Sequence, residues 1–415
     1  METKKLIDCC EFISDGDHLP PPKSDSGVPF ITISNITGQN KLSFEDTMFV
    51  PESYYNGLNE NKKAKKGDIL YSVVGSFGKP VYVDFDKQMV FQRHIAILRP
   101  KRNVNARFIY YTMLNPQFYK LVDKLAIGCS QRTVTLDTLR NIEVNLPDKD
   151  IQDKMVGILS LIDEKIDINN NVNDNLEQQI LSIYHYLFTQ FDFPDEVGNP
   201  YCSSGGKMMQ NDILKRNIPI TWKVKTLGEL CSFQNGINYD KGIIGDKDYR
   251  IINVRNISSS SILLDENELD IISLPHKKGD KYCVTDDSII IARSGIPGAT
   301  RILFKPTTNT IFCGFIICCT PTDKELQYYL TFYLKLLEGS SATQTGGSIL
   351  QNVSQDTLSS LPVPIPPKML LDEFNQTVLQ TFELIHTNMN ETSQLINLRD
   401  WLLPMLMNGQ ATIND

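Results

Sequence analysis

Two long segments of the chain carry apolar residues mostly at spacings of three and four, the period of one face of an α-helix. In segment 151–187 the stripe is made by Ile151, Met155, Ile158, Ile162, Ile166, Leu176, Ile180, Ile183 and Leu187. In segment 370–406 it is made by Leu370, Phe374, Val378, Phe382, Ile385, Met389, Ile396, Leu403 and Leu406. About 38 helical residues at 1.5 Å each form a rod on the order of 57 Å. An apolar stripe of that length needs a partner, so we expect the two helices to pack on each other.

The rest of the chain shows a different pattern. Short runs rich in β-branched and aromatic residues, such as 69–74, 95–98 and 289–292, are bounded by Gly, Pro, Asn and Asp, which predicts strands and turns. A helical stretch interrupts them at 106–125 and again at 325–338. The parts of the chain outside the two long helices are therefore predicted to form globules of mixed α and β structure.

The chain repeats itself at an offset of 219 to 221 residues. Residues 30–36 (FITISNI) match 251–257 (IINVRNI), which aligns Asn35 with Asn256. Gly75 and Gly78 then align with Gly295 and Gly298, and Pro147 aligns with Pro366. A match that keeps its order over so many residues indicates one structural unit used twice.

The repeat and the helical stripes together predict an α+β fold with a pseudo-two-fold internal repeat. We expect a first globule at 1–147, a first long helix at 148–190, a linker at 191–220, a second globule at 221–366 and a second long helix at 367–415.

The net charge of −8 argues against a protein that coats nucleic acid by charge alone, but the charge is unevenly distributed. Segment 62–140 has 15 Lys and Arg against 5 Asp and Glu, a net +10, whereas the first long helix and its end (148–195) carry −7. The corresponding segment of the second globule, 282–360, has 5 basic and 6 acidic residues. One globule is thus strongly basic and the other is not.

No apolar run approaches the ~20 residues of a membrane span, and the nine cysteines lack zinc-type spacing, so we expect a cytoplasmic protein with reduced thiols. No phosphate-binding loop, paired metal-binding histidines or other catalytic motif stands out. The candidate chemistry lies instead on Gly-bearing loops that occur in both copies. Their Arg, Lys, Ser and Gln side chains suit hydrogen bonds to base edges and phosphates.

The candidate DNA-contacting residues are Lys62, Lys63, Lys65, Lys66, Ser76, Lys79, Arg93, Ser130, Gln131, Arg132, Arg255, Arg293, Ser294, Arg301, Gln344, Ser348 and Gln351. Each loop also fits an ordinary turn between strand and helix, and the run of four lysines also fits a solvated face. Asn169 and Asn388 fall on or beside the apolar stripes, where a buried amide sets the helix register; a local helix irregularity is the alternative.

Several segments, in this order along the chain, resemble the specificity subunit of type I restriction-modification systems. They are Gly67-Asp-Ile-Leu70, Ile218-Pro-Ile-Thr-Trp222, Arg293-Ser-Gly295, Leu361-Pro-Val-Pro-Ile-Pro-Pro367 and Trp401-Leu-Leu-Pro-Met-Leu-Met-Asn-Gly409. None is diagnostic alone, but their order spans nearly the whole chain.

The resemblance implies two target recognition domains, each reading one half of a bipartite, asymmetric site in double-stranded DNA. It implies that the two helices pack as an antiparallel coiled coil, set the gap between the half-sites and dock two methyltransferase subunits. Those partners would bind S-adenosylmethionine and methylate adenine N6, and two restriction subunits would use ATP and Mg. This chain would itself hold no cofactor or metal and catalyse nothing.

Two other classes of protein remain open from the residues. One is a coiled-coil scaffold with two ligand-binding globules that does not touch DNA. The other is a nuclease or methyltransferase with a degenerate site of its own. A DNA-binding assay with the methyltransferase present separates the first from the specificity subunit, and modification of DNA by the purified chain alone identifies the second.

Overall fold

The computed structural model describes residues 2–128, 132–239, 245–259, 261–338 and 353–410. The chain forms two compact units. The first unit combines Met1–Ile166 with Gln394–Asp415, and the second is Asp167–Ser393. The division passes through both long helices, so each unit contains helical residues from both copies of the sequence repeat.

The first globule begins with a strand that pairs with its last strand. Its strands are β1 Glu2–Lys5, β2 Cys10–Asp15, β3 Val28–Ile31, β4 Ile36–Gly38, β5 Lys41–Leu42, β6 Phe49–Val50, β7 Ile69–Ser72, β8 Pro80–Tyr82, β9 Val90–Phe91, β10 Ile95–Pro100 and β11 Glu143–Leu146. Its helices are α1 Glu52–Gly57, α2 Ala106–Leu114, α3 Pro116–Leu125 and α4 Leu136–Asn141. The helix expected at 106–125 is broken in two because Asn115 caps α3 and Pro116 occupies its first turn.

After the first long helix, α5 Lys149–Tyr184 with a π-helical turn at His185–Thr189, the chain forms a hairpin and then the second globule. The strands are β12 Met208–Asn211, β13 Arg216–Pro219, β14 Lys223–Thr226, β15 Cys231–Asn235, β16 Lys247–Ile252, β17 Asp270–Leu274, β18 Ile289–Ala292, β19 Thr300–Ile302, β20 Thr310–Phe312, β21 Ile316–Pro321 and β22 Pro362–Ile365. The helices are α6 Leu227–Leu230, α7 Val254–Ser259, α8 His276–Gly279, α9 Gln327–Leu337, α10 Gln355–Ser359 and the second long helix, α11 Lys368–Met407.

The sheets of the two globules have the same topology. A four-stranded antiparallel sheet runs β2-β10-β7-β8 in the first and β15-β21-β18-β19 in the second. Beside it, β3 pairs antiparallel with β6 and parallel with β9, and β16 pairs likewise with β17 and β20. The first and last strands pair in each globule, β1 with β11 and β14 with β22. This confirms the tandem α+β repeat.

The asparagines that anchor the sequence repeat have the same structural role in both globules. Asn35 and Asn256 are 7% and 6% exposed. The Asn35 side chain accepts a hydrogen bond from the Thr32 amide at 2.8 Å, and that of Asn256 accepts one from the Asn253 amide at 2.9 Å. Each donates its amide hydrogens to a carbonyl of the following loop. The repeat is visible in the sequence here because a buried polar group is replaced only at high cost.

The region predicted as a linker contains a hairpin, β12 with β13, that the sequence pattern did not indicate. The Asn211 side chain accepts from the amides of Ile213 and Leu214, and Lys215 takes a positive φ of 53°, so the reversal is formed by a side-chain-capped turn. Trp222 packs its ring edge on Phe191, with 5.0 Å between the ring centroids.

In the first unit, the start of α5 and the end of α11 share one apolar core with the first globule. Met155 and Leu159 of α5 and Leu403 and Leu406 of α11 are buried together with residues such as Phe108. In the second unit, the end of the first long helix and the start of α11 share the core of the second globule. Its centre is an aromatic cluster of Tyr184, Phe188, Tyr329, Phe332 and Phe374.

The contacts between the long helices run in opposite directions along the chain. In the first unit, Asp163 pairs with Arg399 at 3.0 Å. In the second unit, Asn169 donates to Glu391 at 2.8 Å, Asn388 donates to Asn173 at 2.8 Å, and the rings of Tyr184 and Phe374 lie 5.7 Å apart. As the number on α5 rises, the number on its α11 partner falls, so the packing is antiparallel. Both candidate asparagines lie in this interface, and their control of the register remains a prediction.

The same loop of each globule reaches the long helix of the other copy. In the first unit, Gln39 accepts a hydrogen bond from the buried Arg399 at 3.1 Å. In the second unit, the amide of Ile262 donates to Glu177 at 3.1 Å. Burial raises the pKa of Glu177. These polar contacts fix each globule on a helix that its own sequence copy does not provide.

Gly16→Ala tests the packing that follows β2. A Cβ at Gly16 would lie 2.1 Å from the carbonyl oxygen of Phe91, whereas one at Gly57 would meet nothing within 4 Å. We expect Gly16→Ala to lower the free energy of unfolding by about 1–3 kcal/mol, and Gly57→Ala to change it by less than about 0.5 kcal/mol. Urea unfolding followed by circular dichroism measures both. Equal stability of the two variants would contradict the close approach.

Candidate nucleic-acid interface

Loops from separate parts of the first globule meet at one end of its four-stranded sheet. The amide of Val73 donates to the carbonyl of His94 at 2.9 Å, Val134 donates to Val73 at 2.8 Å, and Gly75 donates to Arg132 at 3.0 Å. With the bond from the amide of Ile127 to the carbonyl of Thr133 at 2.9 Å, these bonds join segments 73–79, 92–94, 127–128 and 132–134, which we call the first tip. The tip is held by backbone hydrogen bonds, so its geometry does not depend on side chains that face outward.

The second globule builds its tip with equivalent bonds. Arg293 donates its amide to Phe315 at 2.9 Å, the counterpart of the bond from Val73 to His94. Gly298 donates to Ala292 at 2.8 Å, as Gly78 donates to Ser72 at 3.0 Å. We call segments 293–298 and 313–315 the second tip. The repeated loop at 345–351 lies outside the described residues.

The repeated glycines are required by the tip backbone. Gly75 and Gly78 have φ of 66° and 92°, and Gly295 and Gly298 have φ of 79° and 86°. Residues other than Gly rarely adopt positive φ values of this size. The two-glycine pattern therefore specifies the shape of the hairpin loop and leaves the intervening residues free to differ between the copies.

The first tip presents polar and basic groups. Ser76, Lys79 and Arg93 are exposed, and the Arg93 side chain lies 3.4 Å from Nε2 of His94. Burial, with the neighbouring Arg93 charge, lowers the pKa of His94, so its ring stays neutral near pH 7. Ser130 and Gln131 lie outside the described residues. Arg132 is half-buried, ion-paired with Asp123 and stacked over Phe77 at 5.6 Å, so it holds the loop against α3.

The lysine run contributes less free charge than its sequence indicates. Lys62 pairs with Asp17 at 3.2 Å, and Lys65 pairs with Glu60 at 2.9 Å. Lys63 is 9% exposed, pairs with Glu60 at 3.0 Å and lies over the Tyr55 ring. Hydrogen bonds from Lys65 and Lys63 lower the pKa of Glu60 to about 2. Burial of Lys63 in this ion pair does not favour the phosphate contact predicted for it. Lys66 is exposed and has no ion-pair partner among the described residues.

The second tip contains one exposed cationic side chain, that of Arg293. The side chain of Arg293 is exposed and forms no ion pair within the described part of the chain, and Ser294 beside it is half-buried. Arg301 is 5% exposed, pairs with Glu338 at 2.9 Å and donates to the Thr300 carbonyl at 2.7 Å. Its assignment as a DNA contact is therefore corrected to a structural ion pair. Arg255 pairs with Asp270, and Gln344, Ser348 and Gln351 lie outside the described residues.

Sequence reasoning missed two apolar residues at the second tip. Phe315 is 63% exposed and Ile296 is 46% exposed. Neither residue is polar, so the pattern of Arg, Lys, Ser and Gln side chains did not indicate them. The repeat holds the signal that would have found them, because its offset places Phe315 opposite His94 and Ile296 opposite Ser76.

Comparison with known proteins gives a consistent result. The family described as "Type I restriction modification DNA specificity domain" matches residues 1–178 and 219–397. The chain belongs to this specificity family. The two matches include both globules and most of both long helices, so the internal repeat is the family's unit present twice.

The chain is similar to two curated members of the specificity family. It is 22% identical over 410 residues to the type I restriction enzyme HindI specificity subunit of Haemophilus influenzae, covering 84% of this chain and 87% of that protein. It is 23% identical over 320 residues to the MjaIX specificity subunit of Methanocaldococcus jannaschii, covering 76% and 71%. The crystal structure of a type I restriction-modification S subunit from M. genitalium superposes with a TM-score of 0.54 at 17% identity, covering 98% and 96%. That likeness establishes the shared fold.

None of the helices that the structure describes is long and apolar enough to cross a membrane. No group of three or more His, Cys, Asp and Glu in the same part of the chain is placed to hold a metal ion.

Arg301 and Arg293 make a matched pair for separating structural from exposed arginines. Arg301→Met leaves the largely buried Glu338 with Lys335 and the Thr300 amide as partners and removes its arginine, so we expect the free energy of unfolding to fall by about 3 kcal/mol. Arg293→Ala removes an exposed side chain and should change it by less than about 0.5 kcal/mol. Urea unfolding measures both values. A stable Arg301→Met variant would show that the ion pair does not support the hairpin.

Proposed function

We propose that this chain is the DNA-reading subunit of a type I restriction-modification complex and that each globule reads one half of a bipartite site. The observation that carries the proposal is the tip, which occupies the same end of the same sheet in both globules and shares two equivalent backbone hydrogen bonds, but which bears different side chains. One scaffold with two sets of contacts suits an asymmetric site in double-stranded DNA.

The tips have the chemistry that DNA recognition needs. Lys79, Arg93 and Arg293 are exposed cations on backbone-fixed loops. Arginine reads guanine with two hydrogen bonds in the major groove and also pairs with phosphate. Because backbone hydrogen bonds already fix the loops, little conformational entropy is lost when they contact DNA.

The catalytic steps belong to partner subunits in this proposal. Two methyltransferase subunits supply S-adenosylmethionine and methylate adenine N6, and two restriction subunits supply ATP- and Mg-dependent cleavage. Family membership supports this division of labour. The chain itself recognises the target DNA sequence, and its long helices set the gap between the half-sites.

In the first unit, outward faces of both long helices present apolar side chains for the methyltransferase subunits. On α5, Ile151, Ile158 and Leu161 are 42%, 38% and 67% exposed, so Ile151 and Ile158 face outward and not into the helix packing that the sequence pattern predicted for them. On α11, Leu398 and Trp401 are 44% and 60% exposed. Exposed apolar groups on helices whose opposite faces already share a core favour a protein interface, and Trp is the residue most enriched among the strongest contacts.

Arg93→Ala and Arg293→Ala test the division into half-sites. The site is first located by sequencing methylated positions in DNA modified by the complex, and duplexes with one scrambled half at a time are then compared. Each variant should lose roughly tenfold in affinity for the complete site, corresponding to one good base or phosphate contact. Each should also tolerate scrambling of only one half, a different half for each arginine. If both variants tolerate the same half, the two-reader proposal fails.

Trp401→Glu and Leu161→Glu test the docking surface. A buried carboxylate at the interface is costly, so assembly with the methyltransferase subunit should weaken at least tenfold while the circular dichroism spectrum stays unchanged. Val197→Glu is the control, since Val197 is 84% exposed in the linker. Sedimentation of mixtures measures assembly. Normal assembly by both helix variants would place the partner elsewhere.

A further inference from the structure

The turn that leads into β10 in the first globule and the turn that leads into β21 in the second are closed by the same backbone hydrogen bonds. In the first, Ile95 donates to Gln92 at 3.0 Å across the turn, and in the second, Ile316 donates to Cys313 at 3.0 Å. The start of the turn is held by a bond to β3 from Gln92 and to β16 from Cys313, at 2.9 and 3.0 Å. The two central residues of the turn are Arg93 and His94 in one globule and Gly314 and Phe315 in the other.

The second globule therefore presents a phenyl ring where the first presents cationic and imidazole groups. Phe315 is 63% exposed and forms no ring-to-ring contact among the described residues. It lies outside the apolar cores, and His94 occupies the same place without loss of the turn. The ring is thus not needed for folding at this position.

Close packing around Gly314 and a backbone hydrogen bond from Arg293 fix the backbone that carries Phe315. A Cβ at Gly314 would lie 1.9 Å from the side-chain oxygen of Asn238, so the turn is packed closely against the loop that follows β15. The amide of Arg293 donates to the Phe315 carbonyl at 2.9 Å, so the backbone positions that carry the exposed cation and the exposed ring are adjacent in the tip. A fixed turn that carries an apolar ring, beside a loop that carries an arginine, suits a groove with phosphates at its edge and bases at its floor.

We propose that Phe315 reads the second half-site by an apolar contact with the 5-methyl group of a thymine. The inference rests on the proposed function above and goes further by naming the group that is read. The second globule lacks the basic charge of the first, with 5 basic and 6 acidic residues in 282–360, so its selectivity needs a contact that is not ionic. The thymine methyl is the apolar group exposed in the major groove, and phenylalanine is one of the side chains that contacts it.

The experiment replaces each thymine of the second half-site in turn by deoxyuridine, which removes only the methyl group. The duplex carries the complete site, and the protein is the full chain assembled with its methyltransferase subunits. The wild-type complex should lose about fourfold in affinity at one thymine, the worth of one buried methyl-sized group. The complex with Phe315→Ala should bind the thymine duplex several-fold more weakly and show no further loss with deoxyuridine at that position.

Two further variants keep the result interpretable. Phe315→His installs the residue that the first globule uses in the same turn, so it should fold normally and also lose sensitivity to the methyl group. Ile271→Ala removes another exposed apolar side chain of the second globule, 67% exposed on β17, and should retain wild-type sensitivity.

Three outcomes overturn the proposal. The first is a second half-site without thymine, and the second is a Phe315→Ala complex that keeps the same sensitivity to deoxyuridine as wild type. The third is weakened assembly of Phe315→Ala with the methyltransferase, which would make the ring a protein contact. A wild-type complex without any sequence preference would instead refute the proposed function, so the two failures are distinguishable.

Discussion

The structure depends on burial of most of the apolar stripe that each long helix carries. The stripe is too long for one globule to cover, and in both units it is completed by the helix of the other sequence copy. Tyr184 and Phe188 from the first helix lie in one aromatic cluster with Phe374 from the second. In the other unit, Leu403 and Leu406 close the core that Met155 and Leu159 begin. Neither copy of the repeat is complete by itself, because each compact unit takes helical residues from both.

Polar contacts give this apolar packing its specificity. The buried Arg399 bonds to Asp163 on the facing helix and to Gln39 on the first globule, so one guanidinium orders three segments. Asp163 in turn accepts from the hydroxyl of Tyr111 at 2.7 Å, which is part of α2. A buried charge without such partners would be strongly destabilising. These contacts therefore favour one alignment of helices and globule, whereas apolar packing alone tolerates several.

The periodicity and the repeat predicted the long helices, the α+β class and the tandem topology, because these features recur along the chain. Individual side-chain environments were not predictable. Lys63 and Arg301 look like exposed cations in the sequence, but Glu60, Tyr55 and Glu338 surround them in space. The hairpin in the linker was missed because its turn depends on the cap by Asn211 rather than on a Gly pattern. Phe315 was missed because exposure is a tertiary property, and an apolar residue in a sequence is expected to be buried.

In the proposed function, the paired antiparallel helices set the gap between the two half-sites. Deleting residues 170–176 and 385–391 removes facing heptads, since Asn173 bonds to Asn388 and Asn169 to Glu391. We expect the complex with both deletions to methylate a site with both half-sequences unchanged and a gap shorter by about three base pairs, from about 1.5 Å per helical residue and about 3.4 Å per base pair. Methylation-sensitive sequencing reads the gap directly. Methylation at the original gap would contradict the account.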